Sequence, residues 1–221
     1  MVTNLSRDVT MENTVRKECV TPPGAESTVD AADGVELFVR YYAAAGAAAG
    51  AAAPRTLLIV HGGFEHGGRY AHVATAAAER GWNTIVPDLR GHGRSSGPRA
   101  PDGRAADSVD DVERTRRRFG AEPQRPAMLG HSMGGLVAIR YAQHYRDRLA
   151  ALAVIAPLLK VGNPPHPLTA ALGRVLSVVA PRTRFATGIE ADEISRDPEI
   201  QQRWADDPLM QSTTTAGWYF E

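Results

Sequence analysis

The sequence predicts an α/β protein with a mostly parallel sheet and helices on both faces. Short apolar runs, TLLIV at 56–60, NTIVPDL at 83–89, PAMLG at 126–130 and LAALAVIA at 149–156, alternate with segments of helical length. Continuous runs of this kind suit strands buried on both faces, with the helices serving as crossovers. The glycine-rich pentapeptide Gly130-His131-Ser132-Met133-Gly134 lies between PAMLG and the helix-like LVAIRYAQHY, as a sharp strand-to-helix turn requires. With 43% hydrophobic residues among 221, the chain can also bury a substantial core.

Residues 1–26 are polar and aperiodic and end near Pro22-Pro23-Gly24, which predicts a disordered leader, with Met11 an alternative start. Asp33-Gly34 is a turn signal, and the partial alternation of VELFVRYY makes 35–42 the second strand of a hairpin. AAAGAAAGAAAP, 43–54, has no amphipathic face and carries two glycines and a terminal proline, so it is expected to be a low-complexity loop insertion. From Thr56 the alternation begins: strand 56–60 ending at His61-Gly62-Gly63, helix 69–80 stopped by Gly81, strand 83–89, helix 107–119, the PAMLG strand, helix 133–145 and a further buried strand at 149–156. The RTRRR run, Arg114 to Arg118, is expected to form a solvated helix face. Residues 27–156 thus make the α/β core.

Beyond it, 157–221 reads as a helical cap segment with no convincing strand. It holds an aliphatic helix candidate, LTAALGRVLSVVA, and the acidic stretch EADEISRDPEIQQRWADDPL. Ser195 or Asp197 is expected to cap a helix at Pro198, and Asp206 or Asp207 another at Pro208, because proline suits the first helical turn. The aliphatic helix could line an acyl groove or pack the cap on the sheet; both remain open.

Charge and cysteine content exclude several functions. Twenty-five basic residues balance twenty-five acidic ones, so no overall field favours nucleic acid. Cys19 is the single cysteine, which rules out an intrachain disulfide or a thiolate metal cage. His61, His66 and His72 lack a His-Glu-x-x-His helix or carboxylates at ligand spacing, so no metal site is expected. The glycines of HGGFEHGG and RGHGRSSG do not open a helix as a dinucleotide fingerprint must. No segment has the roughly 18 apolar residues of a membrane span, and the N-terminus has no signal-peptide core, so residence in the cytoplasm is expected.

Gly130-His131-Ser132-Met133-Gly134 matches the Gly-x-Ser-x-Gly nucleophile elbow in sequence and context. Such a turn strains the serine backbone and lifts the Ser132 hydroxyl clear of the sheet, while the flanking glycines give it room. Met133 then opens a helix, whose unpaired N–H groups and positive dipole end can hold an oxyanion.

The stretch from His61 to Arg99 (HGGFEHGGRYAHVATAAAERGWNTIVPDLRGHGRSSGPR), then GHSMGG and ISRDPEIQQRWADDPL, resembles the monoacylglycerol lipase and lysophospholipase branch of the α/β-hydrolases over about residues 33–221. The resemblance implies a serine hydrolase of carboxylic esters that needs no cofactor, with Ser132 as nucleophile and a helical cap over an acyl-binding groove. It implies an oxyanion hole from the N–H groups of Gly63 and Met133, shaped by Glu65 and His66, and a structural role for His131. Phe64 either lines the groove or covers the turn. His61 is expected to order the oxyanion loop, and His92 its own loop.

In this fold the triad runs Ser, then Asp or Glu, then His, the latter two on loops beyond the cap. The 221 residues stop inside the cap, so the chain is expected to be an incomplete form lacking the triad acid and histidine. His144 lies twelve residues along a helix from Ser132, about 18 Å of rise, and cannot be the base. His166, in a proline-bounded loop, has freedom to approach but little support.

The expected partner is a small-molecule acyl ester, with transient membrane-surface contact through the cap and self-association through the exposed edge of strand 149–156 also open. The competing reading is a non-catalytic relative of the same fold that binds an acyl ligand or a protein. Peptide substrates are a weaker alternative, since some aminopeptidases share the fold and elbow.

Overall fold

The computed structural model describes residues 24–46, 54–99, 105–119, 125–160 and 166–220. The core elements are β1 (Ala25–Asp30), β2 (Glu36–Tyr42), β3 (Arg55–Val60), α1 (Ala71–Glu79), β4 (Trp82–Pro87), α2 (Ala105–Arg118), β5 (Ala127–His131), α3 (Met133–His144) and β6 (Ala151–Ile155). The six strands form one sheet in the order β1-β2-β4-β3-β5-β6. The β1–β2 and β2–β4 pairs are antiparallel; β3, β4, β5 and β6 run parallel to one another.

Alternating faces of the strands feed two cores. Leu37, Val39, Leu58, Val60, Ile85 and Met128 pack against Val109 and Val112 of α2 and Met133, Val137 and Tyr141 of α3. Ile59 and Val86 point the other way, onto Ala74 and Ala78 of α1. Val39, Leu58, Ile59 and Val60 are wholly inaccessible, and each such side chain contributes roughly 1.5–3 kcal/mol through burial. Alanine on α1 lets that helix lie close to the sheet.

Several expectations need correction. Ala25 and Glu26 belong to β1 rather than to the leader; the rest of that leader, 1–23, and residues 47–53 of the alanine-rich loop lie outside the described residues. The helix expected over 69–80 starts with a 3-10 turn, Gly67–Tyr70, before α1. The RTRRR run is not a uniformly solvated face. Arg116 is buried, donating from Nε and Nη2 to Glu113 at 2.7 and 3.0 Å, while Tyr141 of α3 donates to the same carboxylate at 2.6 Å. A charge can stay buried there because its partner is fully hydrogen-bonded.

Strand β6 has the apolar sequence of a buried strand, yet all five of its residues are exposed, Ile155 to 53%, in line with the exposed edge expected for 149–156. Among the described residues only β5 pairs with it. Its apolar sequence therefore forms a bare sheet edge.

After β6 the chain forms α4 (Pro167–Val179), β7 (Arg184–Ala186), α5 (Ala191–Ile194), α6 (Pro198–Asp206), β8 (Thr213–Thr215) and α7 (Ala216–Tyr219). The antiparallel β7–β8 ribbon corrects the expectation of a strandless cap. Asp197 caps α6 by accepting from Glu199 N at 2.9 Å, with Pro198 in the first turn. The second expected cap does not form. Asp206 ends α6 and Asp207 follows it, its Oδ1 accepting from Leu209 N at 2.9 Å in a turn. No described helix is long and apolar enough to cross a membrane.

Candidate active site

Because β3 and β5 are adjacent and parallel, the loops at their C-terminal ends are neighbours, the position where open α/β sheets place ligands. The loop after β3 carries His61-Gly62-Gly63-Phe64-Glu65-His66, and the turn after β5 carries Ser132.

Ser132 has φ 51° and ψ −118° and immediately precedes α3, a conformation that costs a non-glycine residue of order 1–3 kcal/mol. Its surroundings enforce it. Ser132 N–H donates to Ile155 O at 3.0 Å, and its carbonyl accepts from Leu158 N at 2.9 Å. A Cβ on Gly130 would meet the Gly134 carbonyl and Ala138, and one on Gly134 would overlap the carbonyls of Val60 and His61. Both glycines of the motif are thus required by close packing. Met133, as the first residue of α3, has no intrahelical acceptor for its N–H.

Gly62 and Gly63 lie over this turn. A Cβ on Gly62 would come within 3.3 Å of Ser132 Cβ, and one on Gly63 within 3.6 Å of Met133 Cβ. The structure therefore brings together Gly63, Ser132 and Met133. Phe64 follows in a left-handed conformation, φ 66°, with its ring edge-on to Trp218 at 5.5 Å. Phe64 and Met133 line a largely apolar cavity of about 440 Å³ with Leu136, Leu158, Phe185 and Trp218. That supports the groove-lining alternative for Phe64 and places α7 at the same site, although Trp218 carried no sequence signal.

Glu65 organises the loop from beneath. Its carboxylate accepts from Gly62 N at 2.7 Å, Tyr70 OH at 2.6 Å and Arg69 Nε at 3.0 Å. With the Tyr70 proton directed at Glu65, the Tyr70 oxygen accepts from His131 Nδ1–H at 2.8 Å. Burial works to raise the Glu65 pKa, but hydrogen bonds from His131, Tyr70 and Gly62 outweigh it and pull the carboxyl down to about 2. His131 is thus engaged beside Glu65, in keeping with a structural role.

His61 and His92 are buried behind the loop. His61 donates from Nδ1 to Gly62 O at 2.7 Å and accepts at Nε2 from Leu89 N at 2.8 Å. Burial depresses its pKa, so it is a neutral brace between two loops. His92 donates to Arg90 O at 2.9 Å, and burial pushes its pKa down to about 3. Asp88 joins the same floor, accepting from Arg40, Gly67 N and Arg94 N at 2.7–2.8 Å.

His144 and His166 lie elsewhere. His144 closes α3 against Tyr145, and His166 caps α4 by accepting from Leu168 N. Among the described residues no histidine is hydrogen-bonded to Ser132. The cap reaches the loop through His66 Nε2, 2.8 Å from Asp207 Oδ2, and through Gln211 N–H, which donates to Phe64 O at 2.8 Å. These two contacts were not visible in the sequence, where Asp207 read as a helix cap.

A parallel-stranded sheet, a strained serine between strand and helix and a glycine loop over that helix define an α/β-hydrolase. The family model described as "Serine aminopeptidase, S33" matches residues 51–221, and the chain belongs to this family. It is 34% identical over 161 residues to a monoacylglycerol lipase of Mycolicibacterium smegmatis, covering 71% of this chain and 57% of that protein. It is 30% identical over 187 residues to human monoglyceride lipase, covering 81% of this chain and 58% of the relative. The chain thus spans a little over half the length of these relatives. The crystal structure of Paleococcus ferrophilus monoacylglycerol lipase superposes with a TM-score of 0.71 at 25% identity, covering 82% of this chain and 66% of that one. A monoglyceride lipase from Saccharomyces cerevisiae, in complex with a substrate analog, shares the fold at TM-score 0.73 and 20% identity, over 91% of this chain and 68% of that one.

Proposed function

We propose that the protein is a carboxylic ester hydrolase of the monoacylglycerol or lysophospholipid type, acting through an acyl-enzyme on Ser132. The observation that carries this reading is the strained Ser132, φ 51°, beneath the Gly62-Gly63 loop. A protein that only bound ligands would have no use for that strain. The ester carbonyl sits over the turn and the Ser132 oxygen attacks it as its proton passes to a base; the Gly63 and Met133 N–H groups stabilise the oxyanion, whose collapse breaks the ester bond and expels the alcohol with that proton, leaving the acyl-enzyme. Water then releases the acid. The apolar cavity beside Phe64 and Met133 supports an acyl chain as the bound portion.

Because no described histidine is bonded to Ser132, turnover by these 221 residues should fall well below that of a relative with a full triad. Loss of a triad base costs about 10⁶ in rate. Exposed Leu168, Leu172, Val175 and Val179 along α4 support transient contact of the cap with a lipid surface, and the bare β6 edge supports self-association. A cytoplasmic setting belongs to the same proposal.

The test is hydrolysis of a short p-nitrophenyl ester, a medium-chain monoacylglycerol, a lysophospholipid and an aminoacyl p-nitroanilide by the wild-type chain and Ser132→Ala. Ester turnover abolished in Ser132→Ala is the expected result. Turnover surviving the substitution, or confined to the anilide, refutes the reading. Binding of a fatty-acyl probe with no turnover from any ester would favour the acyl-ligand-binding alternative, since among the described residues no histidine is hydrogen-bonded to Ser132.

A further inference from the structure

The cap segment Asp207–Gln211 grips the oxyanion loop on both sides of its most strained residue. Phe64, at φ 66°, needs surrounding structure to hold it. On one side its carbonyl accepts from Gln211 N–H at 2.8 Å. On the other, two residues on, the His66 ring meets Asp207 Oδ2 at 2.8 Å. The His66 proton has a defined place. Gly68 N–H donates to Nδ1 at 3.1 Å, so Nδ1 is an acceptor and Nε2–H points at Asp207. Gly68 permits this, because a Cβ there would strike the His66 ring at 2.8 Å.

The cap side of the grip is itself fixed. Asp207 Oδ1 accepts from Leu209 N at 2.9 Å, orienting the carboxylate, and Gln211 Nε2 donates to Gly91 O at 2.7 Å, tying the segment to the Arg90–Ser96 loop behind the site. Residues 141 positions apart in sequence thus share one polar network.

We propose that Asp207 and Gln211 are positioning residues that set the geometry of the oxyanion loop, acting through His66 and Phe64. This rests on reading Gly63 as an oxyanion donor. Movement of the Asp207–Gln211 segment is thereby coupled to the order of Gly63, so what binds beneath the cap and what holds the oxyanion act on one another. Neither residue touches the reacting atoms.

The test uses the 221-residue chain and two readouts that need no turnover. Histidine nitrogen NMR on the unmodified chain should show His66 as the Nε2–H tautomer, and Asp207→Ala should convert it to a mixture of tautomers. Amide hydrogen exchange should accelerate about 10- to 100-fold across 62–66 in Asp207→Ala and about 3- to 10-fold at Phe64–His66 and Gly91 in Gln211→Ala. Exchange in β3 and β5 should stay within twofold of wild type. Arg203→Ala, which removes an exposed ion pair on α6, should leave the loop unchanged. An Nδ1–H tautomer in the unmodified chain overturns the proposal even if a variant fails to fold. Loop exchange that is unaltered in both variants, or raised equally by Arg203→Ala, overturns it as well. Ester turnover that survives Ser132→Ala refutes the proposed function and leaves these readouts intact.

Discussion

Glu65→Gln removes the negative charge that accepts from Gly62 N in the Gly62–His66 loop and turns one of its acceptors into a donor. The glutamine oxygen can still accept from Gly62 N and Tyr70 OH, but its NH₂ group then faces Arg69 Nε, which the carboxylate accepts from at 3.0 Å. Losing a charge-assisted bond in a half-buried site costs about 1.5–3 kcal/mol. Linkage gives a second, independent figure. The folded carboxyl titrates at about 2 against 4.5 for an ordinary glutamate, which corresponds to about 3 kcal/mol of stability at neutral pH as an upper value.

The sign follows from the depressed folded pKa. The contribution is complete above about pH 5, begins to fall near the unfolded value and is gone once pH drops through the folded one. By pH 3.5 about 1.5 kcal/mol of it has been lost. Urea unfolding of wild type and Glu65→Gln at pH 7 and pH 3.5 measures both quantities. Wild type should be more stable by about 2–3 kcal/mol at pH 7, and the gap should narrow by roughly half at pH 3.5. A gap that is the same at both pH values, or below about 0.5 kcal/mol at pH 7, would refute the assignment of Glu65 as the ionised brace of the loop.

Ser132→Gly should raise stability by about 1–2 kcal/mol, because glycine accepts φ 51° without strain; thermal unfolding checks this, and a destabilised variant would show that the turn is not strained. Gly93→Ala should lower stability by at least about 2 kcal/mol, since its φ of 53° is left-handed and the added Cβ would overlap the Asp88 carboxylate; calorimetry against wild type decides it. Tyr141→Phe deprives the buried Glu113 of a 2.6 Å hydrogen bond and should cost about 1–3 kcal/mol in urea unfolding, an unchanged midpoint arguing against the Arg116–Glu113–Tyr141 network. Val154→Lys places a charge on the exposed β6 edge and should reduce self-association at micromolar concentration, read by sedimentation velocity.

Ser132, Gly63 and Met133 could be placed from sequence because their geometry is imposed locally. A strand that must turn at once into a helix leaves few choices, and Gly130 and Gly134 are both required by contacts with their immediate neighbours and with β3. The alternation of strands and helices was legible for the same reason, since each period is set by contacts to a single face. Strands β7 and β8 escaped notice because three residues each, RFA and TTT, are too short to display a period. Arg116 looked solvated because its partners are not both nearby: Glu113 lies one turn back, but Tyr141 arrives from another helix. The apolar composition of β6 reports what a strand is suited to, whereas its exposure depends on which strands pair with it.

The same distinction divides the candidate site. Ser132 and the proposed oxyanion donors Gly63 and Met133 follow two adjacent parallel strands, so the sheet register brings them together. What holds the loop in its strained form comes from farther away. Tyr70 and His131 meet at Glu65 across 61 residues, and Asp207 reaches His66 from the cap across 141. An aspartate before proline is a sound helix-cap signal, and only the packing of cap on core turns Asp207 toward a histidine instead. Sequence motifs therefore locate the strained turn at which we propose an acyl group is attacked, while the rigidity of that site depends on contacts no local pattern encodes. Substitutions at Glu65 or Asp207, outside the Gly-x-Ser-x-Gly motif, should loosen the oxyanion loop while leaving the elbow itself intact.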